Sequence, residues 1–271
     1  MDSATDSTTT GLAGKTALIT GAGRGIGRAL AFGLAAVGVR LVLLARSAGQ
    51  LGQTARELNA AGAADPLVVP ADVGNDRQLR AAVAAAQARG PVDILVNNAA
   101  TVEPLGPTAG LGIADIRRAF DVNVVAVIAL SGALLPAMAE AGWGRIVNIS
   151  SGIVGRPGNM VGGTTYAAAK AALEAHTINL AAELAESGVT VNAYRPGGVD
   201  TAMQAWIRGQ DPGRIGTGLH DQFAHSYASG ALLSPERSAA SLIARLGTAA
   251  TGQIWDVADD LPRTASRAAR Q

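Results

Sequence analysis

The stretch TGAGRGIG, residues 20–27, places a glycine at every second position from Gly21 to Gly27. It follows an aliphatic run, KTALIT (15–20), and leads into an Ala- and Leu-rich segment starting near residue 26. A strand that ends in a glycine-rich turn and opens a helix converges backbone N–H groups on one point, where the helix dipole adds positive potential. That is the context of a phosphate-binding turn. The spacing is not G-x-G-x-x-G, because Ile26 stands where the last glycine would fall counting from Gly21. It is T-G-x-x-x-G-x-G, through Thr20, Gly21, Gly25 and Gly27. In a chain with 34 glycines, such a cluster taken alone is also compatible with a structural turn.

Outward from this turn, short aliphatic runs alternate with Ala-rich segments. The pattern predicts strands at 15–20, 40–44, 66–69, 93–97, 145–150, 189–194 and 253–257. It predicts helices at about 26–37, 49–61, 75–89, 112–141, 164–187 and 235–247. The strands are continuously apolar, as expected where helices cover both faces of a parallel sheet. Residues 203–234, rich in Gly and Pro, read as an irregular connection too long to be ordinary, and so as a substrate lid carrying Trp206, Phe223 and Tyr227. The expected organisation is a disordered tail (1–12), one catalytic domain (13–260) and a polar tail (261–271).

Composition narrows the function. The 271 residues, 48% apolar and 16% charged, suit one well-buried α/β core. A net charge of +1 without a basic run argues against nucleic acid. With no cysteine there is no disulfide, thiolate metal site or Cys nucleophile. The start, MDSATDSTTT, lacks a signal-peptide pattern. No apolar stretch reads as long enough to span a bilayer, the longest being cut by Gly, Pro or charge. The expectation is a cytoplasmic protein without a membrane partner. His176, His220 and His225 suggest no metal site, because no third ligand accompanies the pair in 203–234.

Four further segments recur at strand ends: NNAA (97–100), NISS (148–151) followed by YAAAK (166–170), and RPGGVDT (195–201), with Asn123 in DVNVVA between them. This ordered set resembles the short-chain dehydrogenase/reductase family over about residues 13–258. The resemblance implies a Rossmann-like, doubly wound α/β fold with a seven-stranded parallel sheet. It implies catalytic roles for Asn123, Ser151, Tyr166 and Lys170, with Asn123 ordering a water that links Lys170 to solvent. It implies cofactor contacts from Gly21, Gly23, Arg24, Gly25, Ile26, Gly27, Ala45, Arg46, Asp72, Val73, Asn98, Ala99, Ala100, Tyr166, Lys170, Pro196, Gly197, Val199 and Thr201. A homo-oligomer, most simply a tetramer using helices 112–141 and 164–187, is also implied. The chain departs from the family at three places. Ala100 replaces a glycine, the carboxyl end reads IWDVADD, and the Ser151-to-Tyr166 loop is longer by two residues, with Ser150 as the alternative serine.

The residue types explain the chemistry. Tyr166 and Lys170, four apart on a helix, share a face. A free phenol titrates near 10 and needs a neighbouring cation to act near neutrality. The chain otherwise uses arginine, its only lysines being Lys15 and Lys170, so the ammonium at 170 reads as a requirement rather than a surface charge. Ser151 would hydrogen-bond the reacting oxygen. The substrate is expected to be a carbonyl or secondary alcohol. For the cofactor, the second strand ends in Ala45 and Arg46 where a carboxylate would select NAD. A small residue followed by a guanidinium favours the 2′-phosphate of NADP(H), with Arg24 within reach, and NAD(H) the alternative.

Overall fold

The computed structural model describes residues 11–260; the tail at 1–10 and residues 261–271 lie outside the described residues. Leu12 is fully buried, so the packed chain begins before the expected boundary at residue 13. Seven strands form one parallel sheet: β1 (Thr16–Thr20), β2 (Arg40–Ala45), β3 (Leu67–Pro70), β4 (Ile94–Asn97), β5 (Gly144–Ile149), β6 (Val189–Arg195) and β7 (Ile254–Asp256). Their order is β3-β2-β1-β4-β5-β6-β7, with every pairing parallel. The order reverses between β1 and β4, and beyond the carboxyl ends of these strands a crevice must open because consecutive connections diverge to opposite faces.

The helices that make those connections are α1 (Gly25–Ala36), α2 (Ala48–Ala60), α3 (Asp76–Gln87), α4 (Ile113–Glu140), α5 (Thr164–Glu183) and α9 (Pro235–Leu246). Alternation along β1 shows why both faces are covered. Ala17 and Ile19 join a core with α1 and α9 residues such as Leu30 and Leu242, while Leu18 joins the opposite core with Leu79 and Leu130. All of these are buried, which is why the strands carry no polar face.

Two expectations change. First, α4 is one continuous helical run, long and apolar enough by length and composition to cross a membrane. Pro136 and Gly132 do not break it, and its charges lie near its start, at Asp115, Arg117, Arg118 and Asp121, and at its last residue, Glu140. Its apolar side has a packing partner, since Val122, Ala126, Leu130, Leu134 and Met138 are buried against the sheet. Second, 203–234 is helical rather than irregular, comprising α6 (Ala202–Arg208), α7 (Pro212–Ile215) and α8 (Thr217–Ala228). Its breakers sit between these short helices. Asp211 caps Gly213 N–H at 2.8 Å with Pro212 in the first turn, and Gly216 makes the α7–α8 corner at φ 95°.

Candidate active site

The crevice at the strand ends is a cavity of about 970 Å³. Its floor at one end is the TGAGRGIG turn. Gly21 takes φ 68°, and a Cβ on Gly27 would lie 2.3 Å from the Gly21 carbonyl oxygen, so no larger residue fits at 27. Thr20 ties this turn to the end of β4. Its Oγ1 accepts from the N–H groups of Asn98 and Ala99, each at 2.9 Å, and Asn98 Nδ2 donates to the Thr20 carbonyl at 2.9 Å. The cradle is thus tied to the end of β4 by the Thr20 and Asn98 side chains.

Every residue expected to touch the cofactor lines this cavity except Gly27, which lies buried beneath the turn. Arg24 and Arg46 are exposed at its rim and form no ion pair among the described residues, whereas nearby Arg28 is engaged by Glu57. Asp72 pairs with Arg118 and also accepts from Gly74 N–H at 3.0 Å, fixing the corner after β3. At the other side, Gly197 at φ 80° turns the chain after β6, and Thr201 closes on Gly25.

Ser151, Tyr166 and Lys170 meet at the far end of the cavity. Lys170 is almost fully buried, its Nζ donating to the Ile149 carbonyl at 2.6 Å and lying 5.7 Å from the Tyr166 ring centre. Burial lowers its pKa to about 8 against the opposing charge of Glu174. Burial likewise raises the Tyr166 phenol to about 12, while a hydrogen bond with Ser151 works in the other direction. Both serines line the cavity, but the Ser150 hydroxyl is committed to Glu174 Oε1, to which it donates at 2.6 Å.

Asn123 lies behind the cavity wall. It is fully buried in a π-helical turn of α4, Asp121–Val125, and does not line the cavity. Its side chain accepts from Thr101 N–H at 3.0 Å and donates to the Thr101 carbonyl at 2.8 Å. These two bonds fix the amide on the loop after β4 and leave one N–H and one lone pair of the side chain over. Tyr227 is also outside the cavity, half exposed beneath the Arg208 guanidinium at 4.0 Å.

Sequence reasoning missed the buried pair behind the site. Glu174 accepts from Arg195 Nε at 2.8 Å and Nη2 at 2.7 Å in a bidentate ion pair. Glu174 lies four residues after Lys170, so the spacing used for Tyr166 and Lys170 would have placed it on their helix face, whereas nothing local joins it to Arg195 on β6. The aromatics Trp206 and Phe223, expected in the lid, do pack beside Tyr166, but the wall they join there was missed: Val102, Leu105, Met160 and Ile207, with Ile153 and Met203. Its residues come from four separate segments, and no local pattern joins them.

The profile of the family described as short chain dehydrogenase matches residues 15–212. The ketoacyl reductase HetN of Nostoc sp. is 41% identical over 189 residues, 69% of this chain and 64% of that relative's length. Among solved structures, a variant of actinorhodin polyketide ketoreductase with NADPH superposes with a TM-score of 0.79 at 33% identity, covering 90% of this chain and 95% of that one. The 3-ketoacyl-(acyl-carrier-protein) reductase of Brucella melitensis, complexed with NADH, gives 0.77 at 31% identity, covering 91% and 97%. The profile match takes in β1 through β6 and both ends of the cavity, and on that extent the chain belongs to the short chain dehydrogenase family.

Proposed function

We propose that this protein is an NADP(H)-dependent carbonyl reductase, active on a ketone or, in reverse, a secondary alcohol. The observation that carries the reading is one continuous cavity with a phosphate-cradling turn at one end and Ser151, Tyr166 and Lys170 at the other. The fit to a dinucleotide rests on the turn itself, which only a glycine at 27 lets close so tightly, and on the rim arginines Arg24 and Arg46, which form no ion pair among the described residues. Gly21, Gly23, Gly25 and the start of α1 would hold the pyrophosphate, and Arg24 and Arg46 the 2′-phosphate. When bound, the nicotinamide supplies or accepts the hydride.

The chain's own residues handle the oxygen and the proton. Ser151 Oγ holds the carbonyl oxygen where negative charge develops. Tyr166 carries its proton at neutral pH, with a pKa near 12, and gives it to that oxygen. Lys170, still protonated at neutral pH, stabilises the resulting phenolate. Asn123, held in place by Thr101, orders a water that links Lys170 to solvent, and α6 and α8 form the lid over an apolar wall.

The test is NADPH oxidation across a panel of ketones, with Tyr166→Phe and Arg46→Ala alongside. Phe retains the ring, so cofactor should still bind while turnover falls by at least a thousandfold. A variant keeping a tenth of the activity would remove Tyr166 from the role. NADP(H) should bind at least tenfold tighter than NAD(H), about 1.4 kcal/mol, and Arg46→Ala should erase most of that. Equal affinities in the unaltered protein would sink the cofactor assignment.

The same reading includes a homotetramer in the cytoplasm. Supporting it, Val125 and Ile128 on α4 and Ile178 on α5 are about half exposed, on the two helices expected to meet other copies.

A further inference from the structure

Beside the main cavity lies a second cleft of about 580 Å³, and Asn159, Ile215 and Gln222 line both. The rest of its wall carries no charge. Pro107, Val161 and Leu219 contribute side chains, and glycines at 158, 162, 216 and 218 contribute bare backbone. Buried Met160, Ile215 and Leu219 belong to the apolar cluster packed against Tyr166, so an apolar surface runs from the reacting end of the cavity into this cleft. At the rim, Val161 is a branched apolar side chain that stays 78% exposed among the described residues. Gly158, Asn159, Val161 and Gly162 all come from the segment between Ser151 and Tyr166, the one whose length departs from the family pattern.

From this continuity we infer that the second cleft receives the distal end of the substrate, which is a ketone bearing an extended hydrocarbon substituent rather than a small polyhydroxylated ketone. A polyol would leave its hydroxyls facing a wall whose only polar side chains are Asn159 and Gln222, with glycine backbone already partly bonded at Gly162 and Gly216, whereas a hydrocarbon loses water from itself and from the wall together. The inference rests on the carbonyl-reductase reading of the same site.

The experiment measures NADPH-dependent reduction of straight methyl ketones from 2-butanone to 2-dodecanone by the full-length protein and by Gly158→Leu and Gly218→Leu. A Cβ at either glycine meets nothing within 4 Å, and neither glycine has a positive φ, so leucine fills the cleft without straining the backbone. In the unaltered protein kcat/KM should rise by about fourfold per added methylene until the cleft is filled. Each leucine should lower kcat/KM for 2-dodecanone at least tenfold while leaving 2-butanone and NADPH affinity within about twofold. Turnover of 2-butanone without a gain for longer ketones, or a gain that both variants keep, overturns the cleft assignment alone. No reduction of any ketone by NADPH-saturated protein overturns the carbonyl-reductase reading and this inference with it.

Discussion

Glutamate 174 offers the sharpest test of how the site is held. Its carboxylate receives three hydrogen bonds, from Ser150 Oγ at 2.6 Å and from Arg195 Nε and Nη2 at 2.8 and 2.7 Å. The Glu174 side chain is 6% exposed and that of Arg195 20%. Replacing Glu174 by Gln keeps the volume, removes the charge and turns one acceptor into an amide donor facing donors. Breaking a buried pair in this way costs about 3–5 kcal/mol, because the partner charge stays buried without compensation. Partial access of water to Arg195 places the expectation at the low end, about 3 kcal/mol. At roughly 2–4 °C per kcal/mol for a chain near this size, the melting temperature should drop by about 6–12 °C. Because Ser150 abuts Ser151 and Lys170 lies one turn away on α5, kcat should fall more than KM rises. Urea and thermal unfolding of Glu174→Gln, Arg195→Met and the double variant Glu174→Leu/Arg195→Met would measure the coupling. The double variant should be more stable than either single one. Losses below about 0.5 kcal/mol in the single variants, or a double variant as damaged as their sum, would refute the argument.

The pKa of Lys170 gives a dependence of stability on pH with a definite sign. Below about pH 8 folded and unfolded chains both hold its proton; between about 8 and the unperturbed 10.5 only the unfolded chain does, so cofactor-free protein should gain stability with rising pH across that window. The gain is about 3 kcal/mol from this residue alone, until Tyr166, raised to about 12, begins to oppose it above pH 10. Lys170→Met should flatten the rise in urea titrations between pH 7.5 and 10, and an unchanged slope would contradict the assignment. Light scattering at micromolar concentration should give a mass near four chains, and a mass of 27.1 kDa would exclude the oligomer.

The parts of the fold that were legible in the sequence are those fixed by local physics. Runs such as LVLL in β2 bury on both faces, and a side chain with no polar alternative announces its own environment. The segment 203–234 was misread because glycine and proline mark the ends of elements without saying how far apart the ends are. Between Gly209 and Gly230 the breakers delimit one helix of 4 residues and one of 12. Similarly, the charges of α4 lie in its first turns and at its last residue, Glu140, so counting interruptions along the stretch missed the apolar length between them.

The candidate site divides along the same line. Tyr166 and Lys170 were readable because one helix fixes their relation, and the glycine turn because its backbone geometry demands particular residues. Asn123 shows the limit: its type and helical location matched the resemblance, yet which group it would hydrogen-bond depends on where the loop after β4 returns. Thr101 comes from 22 residues away and bonds to both polar ends of that side chain. The apolar wall shows the same dependence in reverse. Leu105, Met160 and Ile207 carry no chemical signature singly, and become one apolar surface only when segments distant in sequence pack together. Catalytic groups are therefore encoded in short spacings, whereas the surface that selects a substrate arises from tertiary packing. That is why the substrate assignment rests on the two adjoining clefts and not on any motif.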